Sequence, residues 1–104
     1  MNKWGYVYLI LMPDGVYKIG YGASAQKRLR QLQRIHNTRL YLIDDCRCYH
    51  PKLLEKQLHN KFGLQKDHRG EFFHLSEDDV LWITAKFKGL QNAVINKSSL
   101  EEAI

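Results

Sequence analysis

The stretch from Tyr6 to Tyr21 leaves this chain few choices. Tyr6-Val7-Tyr8-Leu9-Ile10-Leu11 is aromatic and branched, Val16-Tyr17-Lys18-Ile19-Gly20-Tyr21 has the same character, and Met12-Pro13-Asp14-Gly15 lies between them. Pro presets the first turn position and Gly accepts a positive φ, so the two runs predict a β-hairpin. A three-residue Pro-Asp-Gly loop pairs Met12 with Val16, and therefore Ile10 with Lys18 and Tyr8 with Gly20. In that register Tyr8 and Lys18 leave the same face, one diagonal step apart. A slip of one residue would separate them.

The rest of the chain alternates helical and extended patterns. Ser24 is a natural N-cap for a helix running to about His36, with Ala25, Leu29, Leu32, Ile35 and His36 on one side. Lys27, Arg30 and Arg34 fall on the opposite side as a basic stripe. Arg28 does not join them: at about 100° per residue it lies inside the apolar arc, where a guanidinium is costly unless an anion meets it. Leu40 to Cys48 reads as a third strand, with Asp44-Asp45 as a bulge or a solvent-facing pair. Pro51 opens a second helix without loss of a hydrogen bond, and Gly63 ends it. Leu54, Leu58 and Phe62 form its seam, with Glu55 at the edge and His59 four residues on. Gly70–Leu75 is a short extended segment, and Ser76 with Asp79 forms a reciprocal cap for a last helix. Val80, Leu81, Ile83, Thr84 and Phe87 give that helix its inner face, and Gly89 is its expected end. The fold expected is α+β: a small, mainly antiparallel three-stranded sheet in a β-β-α-β-α core, with an added strand and helix. Residues 1–89 form the domain and 90–104 a peripheral extension.

Charge narrows the partner. Residues 1–70 carry 13 Lys and Arg against 5 Asp and Glu, whereas residues 71–104 carry 3 against 6. A basic body points to a polyanion. No apolar run approaches the roughly 20 residues that cross a bilayer, and the N-terminus lacks a signal-peptide pattern, so a cytoplasmic protein with no membrane partner is expected. Cys46, Cys48 and His50 would share a strand face, but no second pair follows to complete a zinc site, so buried strand cysteines are the simpler reading.

Four residues stand apart from these patterns: Tyr8, Lys18, Arg28 and Glu55. Taken singly, each has an ordinary explanation in packing, a wet strand face, a snorkelling side chain or a helix edge. Taken together they resemble the GIY-YIG nucleases. Tyr6-Val7-Tyr8 followed by Lys18-Ile19-Gly20 is similar to the two tripeptides that name that family. Arg28 stands eight residues after the second glycine, where the family carries its helix arginine. Leu54-Glu55-Lys56-Gln57-Leu58-His59 looks like the family's glutamate helix, and Gly70-Glu71-Phe72-Phe73 resembles a phage and bacterial branch. The resemblance covers roughly residues 5–75.

The resemblance implies hydrolysis of DNA phosphodiester bonds with one divalent metal, Mg²⁺ or Mn²⁺. By that likeness Glu55 holds the metal, Tyr8 orients or deprotonates water, and Lys18 and Arg28 neutralise charge on the phosphate. Tyr8 is a poor base at its ordinary pKa near ~10, unless the two cations lower it. Lys27, Arg30 and Arg34 would contact phosphates, with Arg39, Lys52 and Lys56 as additions. Tyr6, His36 and His59 stand as auxiliary candidates. Two departures matter: Lys18 replaces the commoner tyrosine, and Leu32 stands where many members have a helix histidine, with no asparagine in residues 71–75. A chain of this length has no room for a separate DNA-binding domain, so DNA structure, a homo-oligomer or a separate partner would supply specificity. The rival readings are an inactive nucleic-acid-binding module on the same scaffold and a protein-interaction adaptor.

Overall fold

The computed structural model describes residues 3–103, with side chains described through residue 93. The strands are β1 (Trp4–Leu11), β2 (Tyr17–Gly22), β3 (Tyr41–Tyr49) and β4 (Phe72–Phe73), and the helices are α1 (Ala25–His36), α2 (Pro51–Lys61) and α3 (Glu77–Ala103). The sheet has the order β3-β1-β2-β4 and is antiparallel throughout. The α+β expectation holds, with the short Phe72–Phe73 segment joining the sheet as its fourth strand.

The hairpin register follows from the turn. Tyr8 pairs with Gly20 and Ile10 with Lys18. The Met12 amide donates to Val16 at 2.9 Å, and Gly15 takes φ 85°. Because alternate residues of a strand face opposite ways, this register sends Tyr8, Ile10 and Met12 to one side of the sheet and Val7, Leu9 and Ile19 to the other. Both sides are covered. The first group packs with Ala25, Leu32 and Leu40 beneath α1. The second packs with Cys46, Leu54, Leu58, Phe73, Ile83 and Phe87 beneath α2 and α3. Burial on both sides is why β1 is a nearly unbroken apolar run.

The helix starts behave as their residues dictate. Ser24 accepts from the Lys27 amide at 3.2 Å, and Pro51 occupies the first turn of α2. Ser76 and Asp79 exchange backbone-to-side-chain hydrogen bonds at 3.0 and 3.1 Å, which completes the reciprocal cap.

Several expectations need correction. Ile35 is 70% exposed, and His36 is exposed beside it. The chain reverses at left-handed Asn37, the Gln33 side chain accepts from the Leu40 amide, and Leu40 fills the space beneath the last turn of α1. The bulge falls at Ile43 rather than at Asp44-Asp45: Leu9 faces Asp44 and Ile10 faces Leu42. Gly63 starts a single 3₁₀ turn (Gly63–Gln65), and its φ is not positive. Leu81 is 64% exposed, because the inner face of α3 is carried by Ile83 and Phe87 with Val80 and Leu90 alongside. Gly89 does not end α3. The helix docks beyond it, with Gln91 donating to the Asp45 carbonyl at 2.9 Å. The remainder of the expected peripheral extension, from residue 94 on, has side chains outside those described.

Candidate active site

The site is built around a glycine. Gly20 lies opposite Tyr8, and a Cβ added there would sit 2.6 Å from the Tyr8 hydroxyl and 2.7 Å from two ring carbons. The ring therefore lies flat across the glycine backbone, with only 3% of Tyr8 exposed. At Gly22, two residues on, a Cβ would meet nothing within 4 Å. The glycine of Lys18-Ile19-Gly20 is thus the seat of the tyrosine.

Lys18 is 4% exposed, the one buried charged residue among those described. An ammonium there needs a partner, and it has one: Nζ donates to Glu71 Oε2 at 2.8 Å and lies 5.1 Å from the centre of the Phe72 ring. Hydrogen bonding and charge from Lys18 hold the Glu71 carboxyl below its usual range. Residues 67–71 are braced in turn. Arg69 is ion-paired with Asp67 and Asp14, its guanidinium lies over Phe72, and Gly70 takes φ 84°.

Glu55 projects from α2 with its side chain one-fifth exposed. His59, one turn on, places Nε2 3.7 Å from Glu55 Oε1 and 2.8 Å from the Ile19 carbonyl oxygen. A carbonyl can only accept, so Nε2 carries the proton and cannot ligate a metal. The ring stands edge-on to Phe73, which fixes His59 between α2 and the β2 backbone.

Arg28 is half-buried and opens, with Tyr8, Tyr21, Ser24, Lys27 and Gln31, onto a cleft of about 330 Å³. The inward arginine is therefore at a cleft wall, not sealed in the core. Burial raises the pKa of the Tyr8 hydroxyl above its ordinary value of 10.0. The Arg28 guanidinium pulls the other way without winning, and the Glu55 and Glu71 carboxylates add to the rise. Tyr8 is a neutral phenol. The condition under which Tyr8 could serve as a base, a pKa lowered by neighbouring cations, is not met, because burial outweighs the pull of Arg28.

Tyr8, Lys18, Arg28 and Glu55 thus lie within electrostatic or hydrogen-bonding reach of one another or of a shared carboxylate, and His59 joins them. Glu71 completes the group and was missed from the sequence, although a buried strand lysine signals that a carboxylate must come from somewhere. Arg30 and Arg34 line a second, shallow basic cleft of about 580 Å³ near the end of α1. Lys56 is exposed on α2, Lys52 opens onto a further cleft, and Arg39 stacks near Tyr41. Tyr6 packs under α1, and His36 lies about two turns beyond Arg28. Cys46 and Cys48 are buried free thiols, with Cys46 pushed up to about 11 by burial.

Residues 5–88 match the T5orf172 domain. The chain belongs to that family. This is a nuclease-related domain, and the match spans every residue of the cluster just described. No curated protein and no solved structure matches the chain. Among the described residues, no helix is long and apolar enough to cross a membrane.

Proposed function

We propose that this T5orf172-family protein is a GIY-YIG-type endonuclease that hydrolyses DNA phosphodiester bonds with one divalent cation. The observation that carries the reading is convergence. Residues from two strands, two helices and the Gly70-Glu71 segment come within hydrogen-bonding or charge range of one another, with Tyr8 and Arg28 lining an open cleft.

The donor set fits a hard cation. Glu55 is an oxygen ligand, His59 Nε2 is committed to Ile19, and the two thiols are buried in the apolar core on the α2/α3 side of the sheet. Among the described residues no group of three or more His, Cys, Asp or Glu gathers to hold a metal ion. Glu55 would then be the protein's one ligand, with water and substrate phosphate completing the shell, the pattern Mg²⁺ tolerates well. Bound there, Mg²⁺ or Mn²⁺ would draw charge from the phosphate oxygens.

The protein's own groups supply the rest. Tyr8, a neutral phenol held against Gly20, orients the attacking water by hydrogen bonding; its raised pKa argues against a phenolate base. Arg28 faces the cleft and neutralises charge that grows on the phosphate. Lys18 adds a second positive charge once the phosphate competes with Glu71 for its ammonium. Lys27, Arg30 and Arg34 carry the flanking backbone, so binding should weaken steeply with salt. One observation favours a non-catalytic DNA-binding module as the second reading: Lys18 is tied to Glu71 rather than directed to the cleft.

The test is supercoiled plasmid with Mg²⁺, with Mn²⁺ and with EDTA, alongside Glu55→Ala prepared identically. Metal-dependent nicking by the native protein that falls to a small residual rate in the variant supports catalysis. Salt-sensitive binding without nicking would leave the binding module.

A further inference from the structure

A second cleft of about 330 Å³ opens at the end of the sheet where β1 starts, β2 ends and α2 begins, and Tyr21, Gly22 and Ala23 line both it and the cleft that holds Tyr8 and Arg28. Its remaining lining includes Lys3, Trp4, Gly5, His50 and Lys52, with no acidic side chain. Such a volume is at the small end of ligand sites, roughly 300–1,000 Å³.

Gly5, at the floor of this end of the sheet, is where Pro51 and the Gly22 backbone approach β1 most closely. A Cβ there would lie 2.9 Å from Pro51 Cγ and 3.0 Å from the Gly22 carbonyl oxygen. Trp4 is 36% exposed, Tyr21 43% and Tyr49 54%, so three aromatic side chains show themselves at this one end of the molecule. Trp4 and Tyr49 are neighbours across β1 and β3, with ring centres 5.6 Å apart, and Tyr49 meets the His50 ring edge-on at 4.3 Å. The Arg47 guanidinium lies 4.9 Å from the Trp4 ring centre. A basic groove interleaved with exposed aromatic faces is how proteins hold unpaired nucleotides, cations tracking phosphates while rings stack on bases. Duplex DNA offers no free base faces to such a platform.

We infer that the Trp4 cleft binds an unpaired DNA base flanking the phosphate held at Arg28, so that the substrate is DNA with a single-stranded stretch beside the cut. Lys3 and Lys52 contact the adjoining phosphates, and the shared Tyr21–Ala23 wall carries the strand from one cleft to the other. This rests on the nucleic-acid reading above and narrows it.

The experiment measures fluorescence anisotropy of labelled strands in EDTA, which removes cleavage from the readout. The probes are oligothymidylate, an abasic strand of equal length, a hairpin duplex and oligouridylate. The native protein should hold oligothymidylate about fivefold to a hundredfold more tightly than the abasic strand. Trp4→Ala should erase that preference while keeping the affinity for the abasic strand, and Trp4→Phe should restore most of it. Retained abasic binding also shows that the variant is folded. Equal affinity of the native protein for thymidylate and abasic strands would overturn the stacking site and leave the nuclease reading standing. Tighter binding to the duplex would do the same, and a preference for oligouridylate would overturn the choice of DNA. Binding to none of the four would overturn both readings.

Discussion

The two strands that flank β1 bury different chemistry. On one side β2 buries an ammonium, Lys18, and seats a phenol on Gly20. On the other, β3 buries two thiols, Cys46 and Cys48. The thiols are among apolar neighbours, Ile83 and Phe87 with them, and burial pushes Cys46 up to about 11, which keeps it protonated and inert. Lys18 is met instead by Glu71, whose side chain is itself 64% exposed. A thiol is a small apolar group that can simply be packed. A buried ammonium requires a carboxylate at the right place, and such arrangements are kept where charge does work.

Substitutions on the two sides of β1 should therefore have different consequences. The largest effect is expected from Lys18→Met, which keeps an unbranched side chain one atom shorter and removes the charge. Cleavage should fall about 100- to 1,000-fold, while the thermal midpoint stays level or rises, because Glu71 is left in water rather than stranded. A plasmid-nicking rate beside a melting curve checks both. Next comes Gly20→Ala. It drives a methyl into the Tyr8 ring and should cost about 1–3 kcal/mol by denaturant titration, whereas Gly22→Ala should stay within about 0.5 kcal/mol. On the β3 side, Cys46→Ala should lose about 1–2 kcal/mol of stability and leave cleavage per folded molecule unchanged. An equal loss of cleavage from Cys46→Ala would erase the distinction between the two sides.

The turn residues made the β2 side legible from sequence. Pro13-Asp14-Gly15 sets the hairpin register, and register alone places Tyr8 over Gly20 on the same face as Lys18. Arg28 was visible as a misfit on α1, and Glu55 with His59 as a pair one turn apart. Four things were hidden, each for a physical reason. Glu71 follows Gly70 outside regular structure, and only the tertiary path of residues 66–71 brings it to Lys18. His59 was recognisable as a neighbour of Glu55, but its bond to the Ile19 carbonyl depends on how α2 docks across β2. The helical wheel gave Ile35 and Leu81 to the inner faces of α1 and α3, but the wheel knows nothing of where a sheet ends or of what fills the space instead. Gly89 fails to stop α3 because contacts made beyond it, by Leu90 and Gln91, outweigh the propensity cost of one glycine, about 1 kcal/mol.

The smallest expected effect is with acid. Lys18 lowers the Glu71 pKa, so the folded-state value lies below the ordinary 4.5. The stability this contact contributes is complete above pH 4.5 and is lost as pH falls through the depressed value. Amide exchange at Phe72 should accelerate below pH 4.5 in the native protein, and Glu71→Gln should lack that acid limb.

Arg28 and Glu55 are proposed to act on one phosphodiester, and a double-variant cycle measures whether they do. Metal-dependent nicking rates are compared for the native protein, Arg28→Ala, Glu55→Ala and the double variant. Groups that work as a unit are strongly non-additive, so the double variant should be no slower than Glu55→Ala alone. Losses that simply multiply, or an Arg28→Ala protein that nicks at the native rate, would contradict a single shared site.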